Sequence, residues 1–104
     1  MRIPKQIDVF GKRWKISYKW NLRCEDGQPM LGLCVPDKRI IFLERLTKKS
    51  ERPSIFFHEL LHAIIYESKI AAVLDENVEE ILVESIEEVV MEMFTLRLKN
   101  GKKR

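Results

Sequence analysis

The segment from Ile55 to Ser68, IFFHELLHAIIYES, is apolar almost all the way round a helical wheel, and such a helix is stable only near the centre of a fold. Phe57, Leu60, Leu61 and Ile64 cluster on one side, while His58 and His62 share another, bordered by Ile55 and Ile65. Pro53 suits the first turn, where its missing N–H has no intrahelical partner to lose. The rest of the chain must therefore cover this helix. It must also supply a reason for burying two imidazoles and the carboxylate of Glu59 among apolar groups.

Cover is legible on both sides of the segment. Residues 5–20 read as two strands joined at Gly11, with Ile7, Val9 and Phe10 before it. After it, Trp14, Ile16, Tyr18 and Trp20 alternate with Lys15, Ser17 and Lys19, the pattern of a sheet with one buried face. Asn21 to Pro29 is a polar loop. Leu31, Leu33 and Val35 resume the strand pattern, and Pro36-Asp37-Lys38 turns the chain into Ile40–Leu43, so residues 31–44 form a hairpin and the sheet has three or four strands. Beyond the apolar connector Ile70–Leu74, Asp75 or Asn77 can N-cap a second helix that runs to about Lys99 and closes at Asn100-Gly101. Val78, Leu82, Ile86, Val89, Met93 and Leu96 supply its core stripe, and Gly101 to Arg104 is a frayed basic end. The expected architecture is α+β: one domain over residues 1–104, a small, largely antiparallel sheet packed on two helices.

Charge is divided unevenly along the chain. Residues 1–50 carry +7 and residues 51–104 carry −4, so the first half has the sign to meet nucleic acid, with Trp14, Tyr18 and Trp20 interleaved among cations as a stacking platform. A solvated Lys-rich sheet face with core-facing aromatics is the commoner origin of this pattern, and nucleic-acid binding stands as a third reading. No apolar run approaches the roughly 18 residues needed to span a bilayer. Cys24 and Cys34 lack a CxxC spacing, and no charged-then-apolar leader opens the chain, so free thiols in a cytoplasmic protein are expected.

The polar residues of the first helix carry the chemistry. His58 and His62 are four apart, which stacks their imidazoles on one helix face where both can reach one cation, and Glu59 lies about 100° round. The spacing of the only two histidines with that glutamate arises by chance in roughly 0.2% of arrangements. Zinc suits two imidazoles. A catalytic site takes three protein ligands and leaves a fourth position to a water whose pKa the metal lowers toward about 7, with the adjacent glutamate placed to accept its proton. Tyr66, one turn beyond His62, is a candidate donor to a developing oxyanion beside its ordinary role in packing.

The third ligand is not a histidine, because the chain has no other. The metzincin pattern HExxHxxGxxH is excluded by Ile65 and Ser68 at its Gly and third His positions. A cysteine from the sheet or a glutamate of the second helix remains: Glu76, Glu79, Glu80, Glu84, Glu87, Glu88 or Glu92. The wheel leaves Glu80, Glu84, Glu87 and Glu88 all in the polar arc.

Taken together, GLCVPDKRIIFLE, FFHELLHAI and VEEILVESIEEVV resemble small phage and prophage zinc metallopeptidases, relatives of the ImmA/IrrE-type gluzincins. The resemblance spans Leu31 to about Val90. It implies a minimal zincin-like fold in which a hairpin precedes the HExxH helix and a later helix contributes a glutamate in a Val-Glu context. Here that context is Val83-Glu84, which makes Glu84 the implied third zinc ligand, with Glu80 and Glu88 one turn to either side. Glu88 would then orient a histidine by accepting its second N–H. The implied activity is hydrolysis of a peptide or protein substrate, with Glu59 as general base. A zinc-holding regulatory or interaction module without hydrolysis is the alternative.

Overall fold

The computed structural model describes residues 2–102, apart from the side chains of Ala71 and of residues 94–102; Lys103 and Arg104 of the expected basic end lie outside the described residues. Four strands, β1 (Gln6–Val9), β2 (Lys12–Lys19), β3 (Gly32–Val35) and β4 (Ile40–Glu44), are followed by the helices α1 (Arg52–Glu67) and α2 (Glu76–Lys102). The strands form one mixed sheet in the order β1-β2-β4-β3, with β1–β2 and β3–β4 antiparallel and β2–β4 parallel. The fold is α+β, as the sequence predicts.

Phe10 and Gly11, both at left-handed φ (48° and 78°), make the two-residue turn between β1 and β2, whose twist matches that of the strands it joins. Pro36–Lys38 forms the single 3-10 turn between β3 and β4. Alternation along β2 sends Trp14 and Ile16 into the core, where they join Val9, Ile41 and Leu43 of the sheet and Phe56 and Ala63 of α1. Trp20, expected on that face, is instead exposed against Arg45, because the chain leaves the sheet at Lys19 and turns at Asn21 with φ 54°.

Helix α1 starts three residues earlier than its apolar pattern, with Pro53 in its first turn. Asp75 caps α2, its Oδ1 accepting the Asn77 N–H at 2.7 Å. The stripe expected to bury α2 does not do so: Val78, Leu82, Ile86, Val89 and Met93 are exposed, and the one fully buried side chain among the described residues of α2 is Val83. Leu96 belongs to the side chains outside the description. The helix therefore faces α1 about 100° round from the expected side.

The end of α1 is tied to the sheet by Glu67. This side chain, only 6% exposed, accepts hydrogen bonds from the Arg39 guanidinium (Nε at 2.6 Å) and from Trp14 Nε1 at 2.7 Å. Arg39 above all, and then Trp14, hold the Glu67 carboxyl below its ordinary pKa. Glu44 is held low in a similar way by the backbone N–H groups of Leu46 and Leu22.

A carboxylate whose pKa is lower folded than unfolded stabilises the fold above the unfolded value, and that stabilisation is lost as pH falls through the folded one. The protein should thus lose stability as pH drops below about 4. Glu67→Gln should lower the thermal midpoint at pH 7 and flatten that acid dependence, whereas Asp8→Asn, at the exposed Arg13–Asp8 pair, should do little. Thermal melts across pH 2–7 check this, and equal midpoints for Glu67→Gln and wild type at pH 7 would contradict it.

Candidate metal centre

Helical spacing places His58 and His62 one turn apart on α1, with ring centroids 5.1 Å from each other. What faces them is the side of α2 that carries Val83, and with it Glu79, Glu80 and Glu87 three or four residues away. The Nε2 atoms of both rings converge on a single carboxylate, that of Glu80, at 2.9 Å from His58 and 3.2 Å from His62. Their Nδ1 atoms point elsewhere: His62 Nδ1 donates to Glu79 at 2.6 Å, and His58 Nδ1 lies 3.3 Å from Glu87.

This arrangement constrains the protonation of the rings. A neutral imidazole that donates from Nδ1 presents a bare lone pair at Nε2, so two lone pairs and a carboxylate are aimed at one place. Such a set is repulsive unless protons or a cation stand between its members. In the structure His58 is held above its usual pKa: burial lowers it, but the carboxylates of Glu59, Glu87 and Glu80 outweigh burial. The ligand atoms of His58, His62 and Glu80 lie within 4.8 Å of one another. Two nitrogens and one carboxylate oxygen form a donor set suited to zinc, and a carboxylate behind each imidazole is the usual way such ligands are oriented. The residues therefore fit a zinc ion chemically.

Glu84 and Glu88, the implied ligand and orienting residue, are both exposed. Among the described residues, the carboxylates that contact the two imidazoles are those of Glu79, Glu80 and Glu87. The carboxylates that the geometry brings to the imidazoles are thus Glu80, Glu79 and Glu87 in place of the expected Glu84 and Glu88. The cause is rotation about the helix axis: α2 turns Val83 into the interface, which carries Glu84 about 100° away toward solvent and brings in Glu79 and Glu80 before it and Glu87 after it.

Glu59 is not one of the convergent ligands. It lines the cavity of about 570 Å³ that His58, His62, Glu80, Cys34 and Tyr66 also line, and a second cavity of about 310 Å³ shares Met30, Gly32, His58 and Glu59 with the first. Burial raises the Glu59 carboxyl above its ordinary pKa, against the opposing pull of His58 and His62. Strand β3 passes directly over it. A Cβ added at Gly32 would stand 2.8 Å from Ile55 Cγ2 and 3.0 Å from Glu59 Cγ and Oε2, so only glycine lets the strand lie this close.

Tyr66 packs edge-on against Trp14, centroids 6.4 Å apart, while also reaching the cavity wall. Cys34 stands on that wall as a free thiol. Burial, with Glu59 and Glu79 nearby, pushes its pKa up to about 12. Trp14, Tyr18 and Trp20 do not form an open platform: Trp14 is buried, and Tyr18 lies under the Arg52 guanidinium at 5.0 Å.

Sequence reasoning kept Glu80 only as an alternative one turn before Glu84, and gave Glu79 and Glu87 no part in orienting a histidine, because the Val83-Glu84 pair drew the choice. The signal that could have found them is the second, weaker apolar line of α2, Val83 and Val90, which marks the same face as Glu79, Glu80 and Glu87. No protein-family model matches the chain, and neither curated proteins nor solved structures give a match.

Proposed function

We propose that this protein is a zinc-dependent peptidase in which His58, His62 and Glu80 hold the metal and Glu59 is the general base. The observation that carries the reading is the convergence of both Nε2 atoms on Glu80, with Glu59 beside them on the wall of an open cavity. A bound zinc would supply Lewis acidity, lowering the pKa of a water and polarising a carbonyl. The chain's own residues do the rest. Glu79 and Glu87 fix the imidazoles through Nδ1. Glu59, made more basic by burial, takes a proton at its carboxylate and delivers it to the leaving amine.

The substrate is read from the sheet. Among the described residues β3 is an edge strand, paired only with β4, and the two cavities meet beside it at Gly32 and Glu59. An extended peptide added along that edge would pass its backbone over Glu59. Cys24 and Cys34, both free thiols, fit a reducing compartment, and we place the protein in the cytoplasm. None of the described helices is long and apolar enough to cross a membrane.

A zinc-holding module without hydrolysis would close the fourth position, since structural sites exclude the reactive water. The cavity against both histidines favours an open one. The test is metal content and hydrolysis on the same protein: about one zinc per chain, and cleavage of an unstructured peptide library that stops on chelation and returns with zinc. A fully metallated chain that cleaves nothing would favour the module; a chain that takes up no zinc would end both readings.

A further inference from the structure

Leu82, Ile86, Val89, Met93 and Leu96 follow one another at intervals of four, three, four and three, the a/d spacing of a two-stranded coiled coil. Among the described residues the fold leaves this seam exposed to solvent in part. Leu82, Ile86, Val89 and Met93 are 39, 37, 54 and 64% exposed, because α2 packs on α1 through Val83, about 100° round. At 27 residues α2 is about 40 Å long, and it carries this apolar line along a flank about 100° round from Val83. A contiguous stripe of large apolar side chains is a surface that wants a partner.

Charge along the same helix selects that partner. From Glu76 to Leu96 the sequence has seven glutamates and no Lys or Arg; from Arg97 to Arg104 it has five Lys or Arg and no acidic residue. A second α2 laid parallel would set acid on acid and base on base. Laid antiparallel, Arg97 and Lys99 of each chain come level with the acidic start of the other at Glu76 and Glu79.

We propose that α2 pairs antiparallel with α2 of a second copy of this chain through the Leu82–Met93 seam. In antiparallel pairs an a position faces a d position, so the register sets Ile86 against the partner's Val89 and Leu82 against the partner's Met93. The two-fold axis falls between Glu87 and Glu88. The interface is closed and self-complementary. The seam itself contains none of His58, His62 and Glu80, so pairing is read by a measurement that does not depend on hydrolysis.

Analytical ultracentrifugation of the full chain at 1–200 µM, with the estimate that raising NaCl from about 0.05 to 1 M shortens the screening length from over 10 Å to about 3 Å, tests it. A concentration-dependent dimer that weakens at high salt is expected, and Ile86→Glu should be monomeric with an unchanged circular dichroism spectrum. Orientation is read by mild oxidation. Leu82→Cys chains mixed with Met93→Cys chains should form a mixed disulfide, while neither variant alone cross-links beyond the wild-type level. A monomer at every concentration overturns the proposal, and so does self-cross-linking at position 82 or 93, which would mean parallel pairing.

Discussion

Glu59→Gln is expected to reduce peptide hydrolysis by about 10²- to 10⁴-fold while the zinc stays bound, the contribution that a positioned acid or base typically makes. Glu59 lies between the two cavities, next in sequence to His58, and its carboxylate is not part of the convergent His58, His62 and Glu80 group. Glutamine keeps the volume that Gly32 and Ile55 enclose, so the fold and the ligands should be undisturbed. What it loses is the ability to accept a proton. Hydrolysis rates, with metal content measured on the same samples, decide the matter. Loss of zinc from Glu59→Gln would make Glu59 a ligand and the assignment of roles wrong; undiminished hydrolysis would remove it as the base.

The second large effect is expected at Glu80. Glu80→Gln and His62→Ala each delete one of the three proposed ligands and should weaken zinc binding by more than about 100-fold, beyond the loss expected from an orienting residue. Glu79→Gln and Glu87→Gln, which act through the imidazoles, should cost about 10- to 100-fold. Glu84→Gln and Glu88→Gln, both exposed, should leave affinity within about twofold, a surface-substitution effect. Competition against a chromophoric chelator measures all six. If Glu84→Gln weakened binding as much as Glu80→Gln, α2 would sit in a different rotation from the one described.

That contrast between Glu80 and Glu84 shows where sequence reasoning stops. Strands, helices and their order were legible because alternation and helical periodicity are local properties: Trp14 and Ile16 against Lys15, or His58 and His62 on one side of α1, although the side chains α1 buries fully are Phe56, Ala63 and Ile65 and not the expected Phe57, Leu60, Leu61 and Ile64. The turn at Phe10-Gly11 and the Asp75 cap are equally local. Helix rotation is not. Helix α2 carries two apolar lines, and the richer one, from Val78 to Met93, looks like the core stripe on periodicity alone. The structure buries the poorer one at Val83, and with it sets Glu79, Glu80 and Glu87 against the His58 and His62 face of α1.

The sequence by itself determined that two imidazoles and a carboxylate share one buried helix, because a spacing of four residues is one helical turn wherever that helix lies. It also determined that a hairpin precedes the helix and a glutamate-rich helix follows. Only the tertiary structure decided which glutamates meet the histidines, that Gly32 seats β3 against Glu59, and that the longer apolar face of α2 is left outside. Each of those depends on the rotation and approach of one element relative to another. Packing of whole surfaces sets these, and nothing in a single element's periodicity encodes them.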